Sequence, residues 1–223
     1  MMKKTLLAVS TLAAMSTVWA AEESPWSWRV GVTRITPHVN SDNVKLLSGT
    51  EIVGLQSDVG GDSELSGGIN YRFDQNWAVD VPLALPFKQK LYGAGALGAP
   101  KGQIGSVKVL PATALLQYHF SDKTSSFRPY VGAGLTYAKF FGEENTPGNS
   151  DLKVQSKLAP SIQLGAQYKL SDTWALDVNY IQTYLGTRTE LGHVTIAQNT
   201  TRPGTLDAKL NPSALSVGLV RSF

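Results

Sequence analysis

The stretch Trp174-Ala175-Leu176-Asp177-Val178-Asn179-Tyr180-Ile181 alternates large apolar residues with small or polar ones. A period of two places Trp174, Leu176, Val178 and Tyr180 on one face of a strand, and Asp177 and Asn179 on the other. The same period runs through Trp77-Val79-Val81-Leu83-Leu85-Phe87 and through Leu110-Ala112-Ala114-Leu116-Tyr118-Phe120. Their intervening positions include Asp80, Gln117 and His119. One face of each strand is continuously apolar and the other is polar in part.

Outward from these runs, the pattern predicts eight strands. They lie near Trp26–Pro37, Ser63–Phe73, Trp77–Lys88, Ser106–Phe120, Phe127–Phe141, Lys157–Leu170, Trp174–Gly186 and Leu206–Phe223. The connections alternate in length. Asp74-Gln75-Asn76, Ser121–Ser126 and Ser171-Asp172-Thr173 are short and rich in turn formers. The segments near His38–Asp62, Gln89–Gly105, Gly142–Ser156 and Thr187–Thr205 read as long loops. Four long and three short connections require both termini on the short-turn side, as in a bacterial transmembrane barrel.

A soluble sandwich also alternates, but three features oppose it. The apolar face lacks the charges of a solvated surface. Aromatics gather beside the short turns at Phe73, Trp77, Tyr118, Phe120, Tyr168 and Trp174, as expected of a ring at the membrane–water boundary. The chain also stops on an alternating strand, Leu215-Val217-Leu219-Arg221-Phe223. The fold expected is all-β: an eight-stranded antiparallel transmembrane β-barrel with long extracellular loops and short periplasmic turns. Two turns echo each other, Tyr71-Arg72-Phe73-Asp74-Gln75-Asn76-Trp77 and Tyr168-Lys169-Leu170-Ser171-Asp172-Thr173-Trp174, through similar local demands rather than a tandem array.

Residues 1–20 read as a cleaved signal peptide: Lys3 and Lys4, an apolar core from Thr5 to Val18, and the small-residue site Val18-Trp19-Ala20. Cleavage leaves residues 21–223 as one barrel domain of 203 residues, with 18 basic against 17 acidic side chains, a net charge of +1. That balance gives no electrostatic case for nucleic acid. The chain has no cysteine, which excludes disulfides and thiolate metal sites.

Several segments, in order, resemble the outer membrane protein W (OmpW) family. They are Trp28-Arg29-Val30-Gly31 leading to Pro37, Pro86-Phe87-Lys88-Gln89-Lys90, Leu110-Pro111-Ala112-Thr113, and Phe127-Arg128-Pro129-Tyr130-Val131-Gly132-Ala133-Gly134-Leu135 followed by Phe140-Phe141. Arg221 departs from the pattern, standing where the family often has an aromatic. The resemblance implies an eight-stranded outer-membrane barrel with an apolar lumen, linked to uptake of small hydrophobic molecules.

Side-chain parity supplies candidate lumen residues. Arg72 with Asp80, and Lys169 with Asp177, lie diagonally across each echoed hairpin and suggest ion pairs on the lumen floor. Asn70, Gln163 and Gln167 belong to neighbouring layers. Higher up, Ile35, Pro82, Pro86, Val109, Pro111, Phe140, Ile181, Leu185 and Pro212 should point inward as apolar walls. Porin interiors are polar, so this reads either as a dry packed core or as a hydrophobic pocket above a charged plug. Four of the nine are prolines, which cannot donate to a ladder and imply local gaps between strands. Such gaps fit either lateral exit into lipid or ordinary bulging of the barrel near its rim.

His38, His119 and His193 are dispersed, so neither a metal site nor a catalytic triad is expected. Arg34 reads as an outward, snorkelling rim residue. The leading expectation is passive passage of small hydrophobic solutes, with no cofactor. The expected partners are outer-membrane lipid and lipopolysaccharide, together with periplasmic chaperones and the barrel-assembly machinery during biogenesis. Two rivals are a surface barrel whose loops bind a phage, bacteriocin or host, and a lipid-modifying barrel enzyme.

Overall fold

A computed structural model describes residues 24–222, apart from 42–43, 47, 50, 53–54, 96–102, 123, 146–151 and 197–199. The expected signal peptide and Phe223 lie outside the described residues.

Eight staves close a barrel. They are β1 (Trp26–Thr36), β2 (Asp62–Arg72), β3 (Trp77–Ala84, resuming as Phe87–Gly95), β4 (Gln103–His119), β5 (Phe127–Asn145), β6 (Lys157–Lys169), β7 (Trp174–Thr183, resuming as Gly186–Ile196) and β8 (Thr200–Lys209, resuming as Ser213–Ser222). Each pairs antiparallel with its sequence neighbour. β1 pairs with β8 from Ser27↔Ser222 to Thr36↔Ser213, closing the ring. Closure gives every stave a neighbour on both sides, the condition for strands in hydrocarbon.

The strands run farther than the loops read from sequence would allow. β5 continues to Asn145, and the upper parts of β7 and β8 occupy much of the segment taken as the last long loop. Those upper parts join a second sheet with Leu152–Val154, Val44–Leu46 and Glu51–Ile52, while Leu55–Val59 pairs with upper β3. Gly and Thr in these segments resemble loop composition, but added ladder bonds outweigh the low strand propensity of Gly.

The outer face follows the alternation. Val30, Val32, Leu65, Ile69, Leu135, Leu164, Leu215 and Val217 are among its exposed apolar residues. Near the short turns the aromatics touch: Trp26 and Tyr71 at 4.7 Å between ring centroids, Trp77 and Tyr118 at 5.0 Å, and Tyr118 and Phe120 at 5.3 Å. The departure at position 221 is accommodated here, because the Arg221 guanidinium lies 5.5 Å from the Trp174 ring centroid.

One correction to parity matters for the lumen. β3 breaks at Leu85-Pro86, and beyond the break the alternation slips by one residue. Pro86, expected inward, is therefore exposed, while Phe87, expected outward, is fully buried. A one-residue slip exchanges the faces of everything that follows.

Candidate functional site

The periplasmic end of the lumen holds a hydrogen-bonded polar layer. The register places Asn70 opposite Asp80 and Gln167 opposite Asp177, so Arg72 and Lys169 are diagonal to the aspartates as expected. Their bonds go elsewhere. Arg72 Nη2 donates to His119 Nδ1 at 3.1 Å, which leaves the ring proton on Nε2, facing Gln117 Oε1 at 3.3 Å. Lys169 Nζ meets Asp172 in the turn at 2.9 Å. That bond from the ammonium holds the exposed Asp172 carboxyl below the usual carboxylate range.

The cation that serves both aspartates is Arg29. Its Nη2 lies 3.4 Å from Asp80 Oδ2 and its Nη1 lies 3.4 Å from Asp177 Oδ1, with the aspartate side chains 1 % and 0 % exposed. β1 can deliver the guanidinium because its neighbour β2 carries glycine at 68, where an added methyl would fall 3.1 Å from Arg29 Nη2. Tyr130 donates its hydroxyl to Asp177 Oδ2 at 2.9 Å, and Asn179 Nδ2 donates to Asp177 Oδ1 at 2.7 Å. An amide chain completes the layer. Asn70 Nδ2 donates to Gln117 Oε1 (2.7 Å), Gln117 Nε2 to Gln163 Oε1 (2.8 Å), and Gln163 Nε2 to Asp80 Oδ2 (3.4 Å). Two carboxylates this deeply buried need such partners, since an unpaired buried charge is costly.

Above the floor lies a belt of hydroxyls. Thr113, Thr136, Ser161 and Thr183, on β4 to β7, form a chain with contacts of 2.9, 2.7 and 2.9 Å. Across the lumen Thr33 bonds both Ser66 and Ser216 at 2.7 Å. Among the eight staves only β3 adds no hydroxyl to these chains; Pro82 and Ala84 face the lumen there.

A narrow cavity of about 90 Å³ rises from Arg29 past this belt between apolar walls. Of the nine apolar candidates, Ile35, Pro82, Val109, Pro111, Phe140, Ile181, Leu185 and Pro212 line it, and Pro86 does not. Phe87 takes that place, joined by Ala138 and Leu210.

The wall between β3 and β4 is interrupted beside the cavity. Their ladder runs from Trp77↔Tyr118 to Asp80↔Leu115 and resumes only at Phe87↔Val109. No pairs join Val81–Pro86 to Leu110–Ala114, although β4 there stays paired with β5. Pro82, Pro86 and Pro111 all fall in this seam, where residues without an N–H lower the cost of lost pairing. Leu83 faces outward at 52 % exposure and, with Pro82 and Pro111, is among the seam residues that border the cavity. The break in β7 and β8 differs, because Thr183 N donates to Pro212 O (3.0 Å) and Leu210 N to Leu185 O (2.8 Å).

Parity from the residues already chosen would have found what the sequence reading missed. Ile35 carries Thr33 and Arg29 with it, Pro111 carries Thr113 and Gln117, and Phe140 carries Thr136. Of the histidines, His119 is buried in the floor and the exposed His38 shares a 3.1 Å contact with Ser213 Oγ. No cluster able to hold a metal occurs among the described residues. Arg34 is exposed on the outer face.

Comparison with known proteins agrees with this architecture. The Vibrio cholerae outer membrane protein W is 35% identical over 185 residues, 80% of this chain and 82% of that one. The dibenzothiophene metabolism operon protein PahQ of Pseudomonas aeruginosa is 26% identical, over 84% of this chain and 86% of that protein. The crystal structure of outer membrane protein OprG from Pseudomonas aeruginosa superposes with a TM-score of 0.81 at 25% identity, over 91% and 98% of the two chains. The OmpW family model matches residues 25–223, and the chain belongs to that family of outer-membrane β-barrels.

Proposed function

We propose that the barrel lets small, uncharged hydrophobic solutes cross the outer leaflet, through the apolar cavity and sideways into the membrane at the β3/β4 seam. The observation that carries this is that Pro82, Leu83 and Pro111 of the seam border the same cavity as Ile181 and Phe140, above a floor occupied by Arg29, Asp80 and Asp177. A solute stopped by the floor has the seam as its way out. Burying apolar surface yields about 25 cal/mol per Å², enough to draw a hydrophobic solute from water into a narrow site. No covalent step or cofactor is required. One relative carries the name of a dibenzothiophene metabolism operon, and dibenzothiophene is itself an apolar aromatic. In this reading residues 1–20 direct export, chaperones and the assembly machinery deliver the chain, and lipopolysaccharide surrounds its outer end.

The test compares entry of a small hydrophobic tracer into cells with the wild-type barrel, with Ile181→Lys, and with none, at matched abundance. Wild type should exceed both others, because a lysine among the walls must be hydrated. Ile181→Leu should behave as wild type. Equal entry with and without the barrel would end the reading.

A further inference from the structure

We propose that the cavity prefers neutral solutes carrying a single oxygen function, such as an alcohol or phenol, over hydrocarbons of the same shape. This rests on the uptake reading and assigns it a substrate class.

The argument begins with the hydroxyl belt. Thr113, Thr136, Ser161 and Thr183 are four hydroxyls sharing three hydrogen bonds. Each hydroxyl has one hydrogen to give and two lone pairs. However the hydrogens are ordered, one O–H is not consumed within the chain, at an end when all the bonds run one way, and several lone pairs remain. Both ends, Thr113 and Thr183, line the cavity, as does Thr136. Reversing every hydroxyl moves the spare donor from one end to the other, so the belt can meet a guest oxygen on either side as donor or acceptor.

Charge narrows the class. Among the residues lining the cavity, Arg29 is the one formally charged side chain, and it is already shared by two carboxylates at 3.4 Å. An anionic head would meet no uncommitted cation, and a cationic head would exchange water for hydroxyls alone. A neutral oxygen loses little on entry and regains its hydrogen bond at the belt. The apolar body then lies against Phe140, Leu185 and the proline-lined seam.

The position of the belt fits this role. It divides the cavity, with Ile181 on its floor side and Phe140 and Leu185 on its outer side, and one end of its chain, Thr113, stands on the unpaired stretch of β4 at the seam. A guest held by its oxygen at Thr113 is therefore held beside the exit.

The test uses benzyl alcohol and ethylbenzene, which differ by a hydroxyl in place of a methyl, with benzoate as the charged analogue. Entry is measured in cells with the wild-type full-length barrel and in cells with none. Wild type should accelerate benzyl alcohol more than ethylbenzene and leave benzoate at the barrel-free rate. Thr113→Val with Thr183→Val removes both chain ends that face the cavity and should lower the alcohol-to-hydrocarbon ratio about five-fold, the worth of one net hydrogen bond. Thr113→Ser with Thr183→Ser should restore the ratio. If the double Val variant does not assemble, Thr113→Val and Thr183→Val are compared singly. An unchanged ratio in assembled Val variants, or benzoate entering as fast as the alcohol, overturns the proposal and leaves the uptake reading standing. No acceleration of any probe by the wild-type barrel overturns both.

Discussion

Tyr130 and Gly165 are cross-strand partners on β5 and β6, and the tyrosine ring occupies the space that a side chain at 165 would need. A methyl group there would fall 2.5 Å from the phenol oxygen, which is the atom bonded to Asp177. The glycine is thus part of the floor, although it has no side chain to contribute.

Gly165→Ala should displace the phenol, break its bond to Asp177 and destabilise the barrel by about 1–3 kcal/mol, the cost of overpacking. Tyr130→Phe removes the same hydrogen bond without the clash and should cost about 1.5–3 kcal/mol, as for a bond to a charged group. Urea midpoints of the refolded barrel in lipid vesicles check both losses. A Gly165→Ala midpoint equal to wild type would mean the ring moves aside freely.

Arg29→Met leaves Asp80 and Asp177 buried without their shared cation. The expected cost is about 3 kcal/mol, the low end for a broken buried pair, since Arg29 borders a cavity with room for water. Adding Asp80→Asn and Asp177→Asn should recover part of it. A double-mutant cycle should give strong coupling between Arg29 and Asp80, and weak coupling between Arg72 and Asp80. Strong coupling in the second cycle would return the floor to the pairing read from the hairpins.

Topology can be tested at two described turns. A peptide tag after Gly49, in the outer hairpin between Val44–Leu46 and Glu51–Ile52, should be labelled on intact cells. A tag after Asp172, beside the aromatic ring and the short turns, should be reached only after the outer membrane is opened. Surface labelling at Asp172 would invert the barrel.

Strand existence, closure and the apolar outer face were legible because period-two alternation is enforced by lipid at every outward position. Eight of the nine apolar residues assigned to the upper lumen line the cavity for the same reason. Pro86 failed because a break in β3 resets parity, and nothing in Leu85-Pro86-Phe87 says which side of the proline carries the slip. The floor was half legible. Asp80 and Asp177 stood out as acids in apolar strands, while their partner sits on β1, distant in sequence from both. Hairpin reasoning sees only adjacent strands, whereas a lumen of eight staves brings side chains together across its width. The hydroxyl belt escaped attention because single Thr and Ser residues are common in strands and acquire meaning only as a ring.

The last prediction concerns the seam. The chain has no cysteine, so an introduced pair has no competitor. Leu83 and Ala112 both face outward on the unpaired stretches of β3 and β4. In Leu83→Cys/Ala112→Cys, oxidation should tie the two staves, and a faster-migrating form on unreduced gels would report the link. Tracer entry should fall several-fold on oxidation and return with reductant, because a disulfide holds Cα atoms within about 7 Å and narrows the gap. A matched pair in the intact ladder, Val79→Cys/Leu116→Cys, joins positions already paired across β3 and β4 and should leave entry unchanged on oxidation. If the seam pair links fully and entry stays at the reduced level, the solute leaves by another route, and the lateral step must be abandoned while the cavity's role in binding stands.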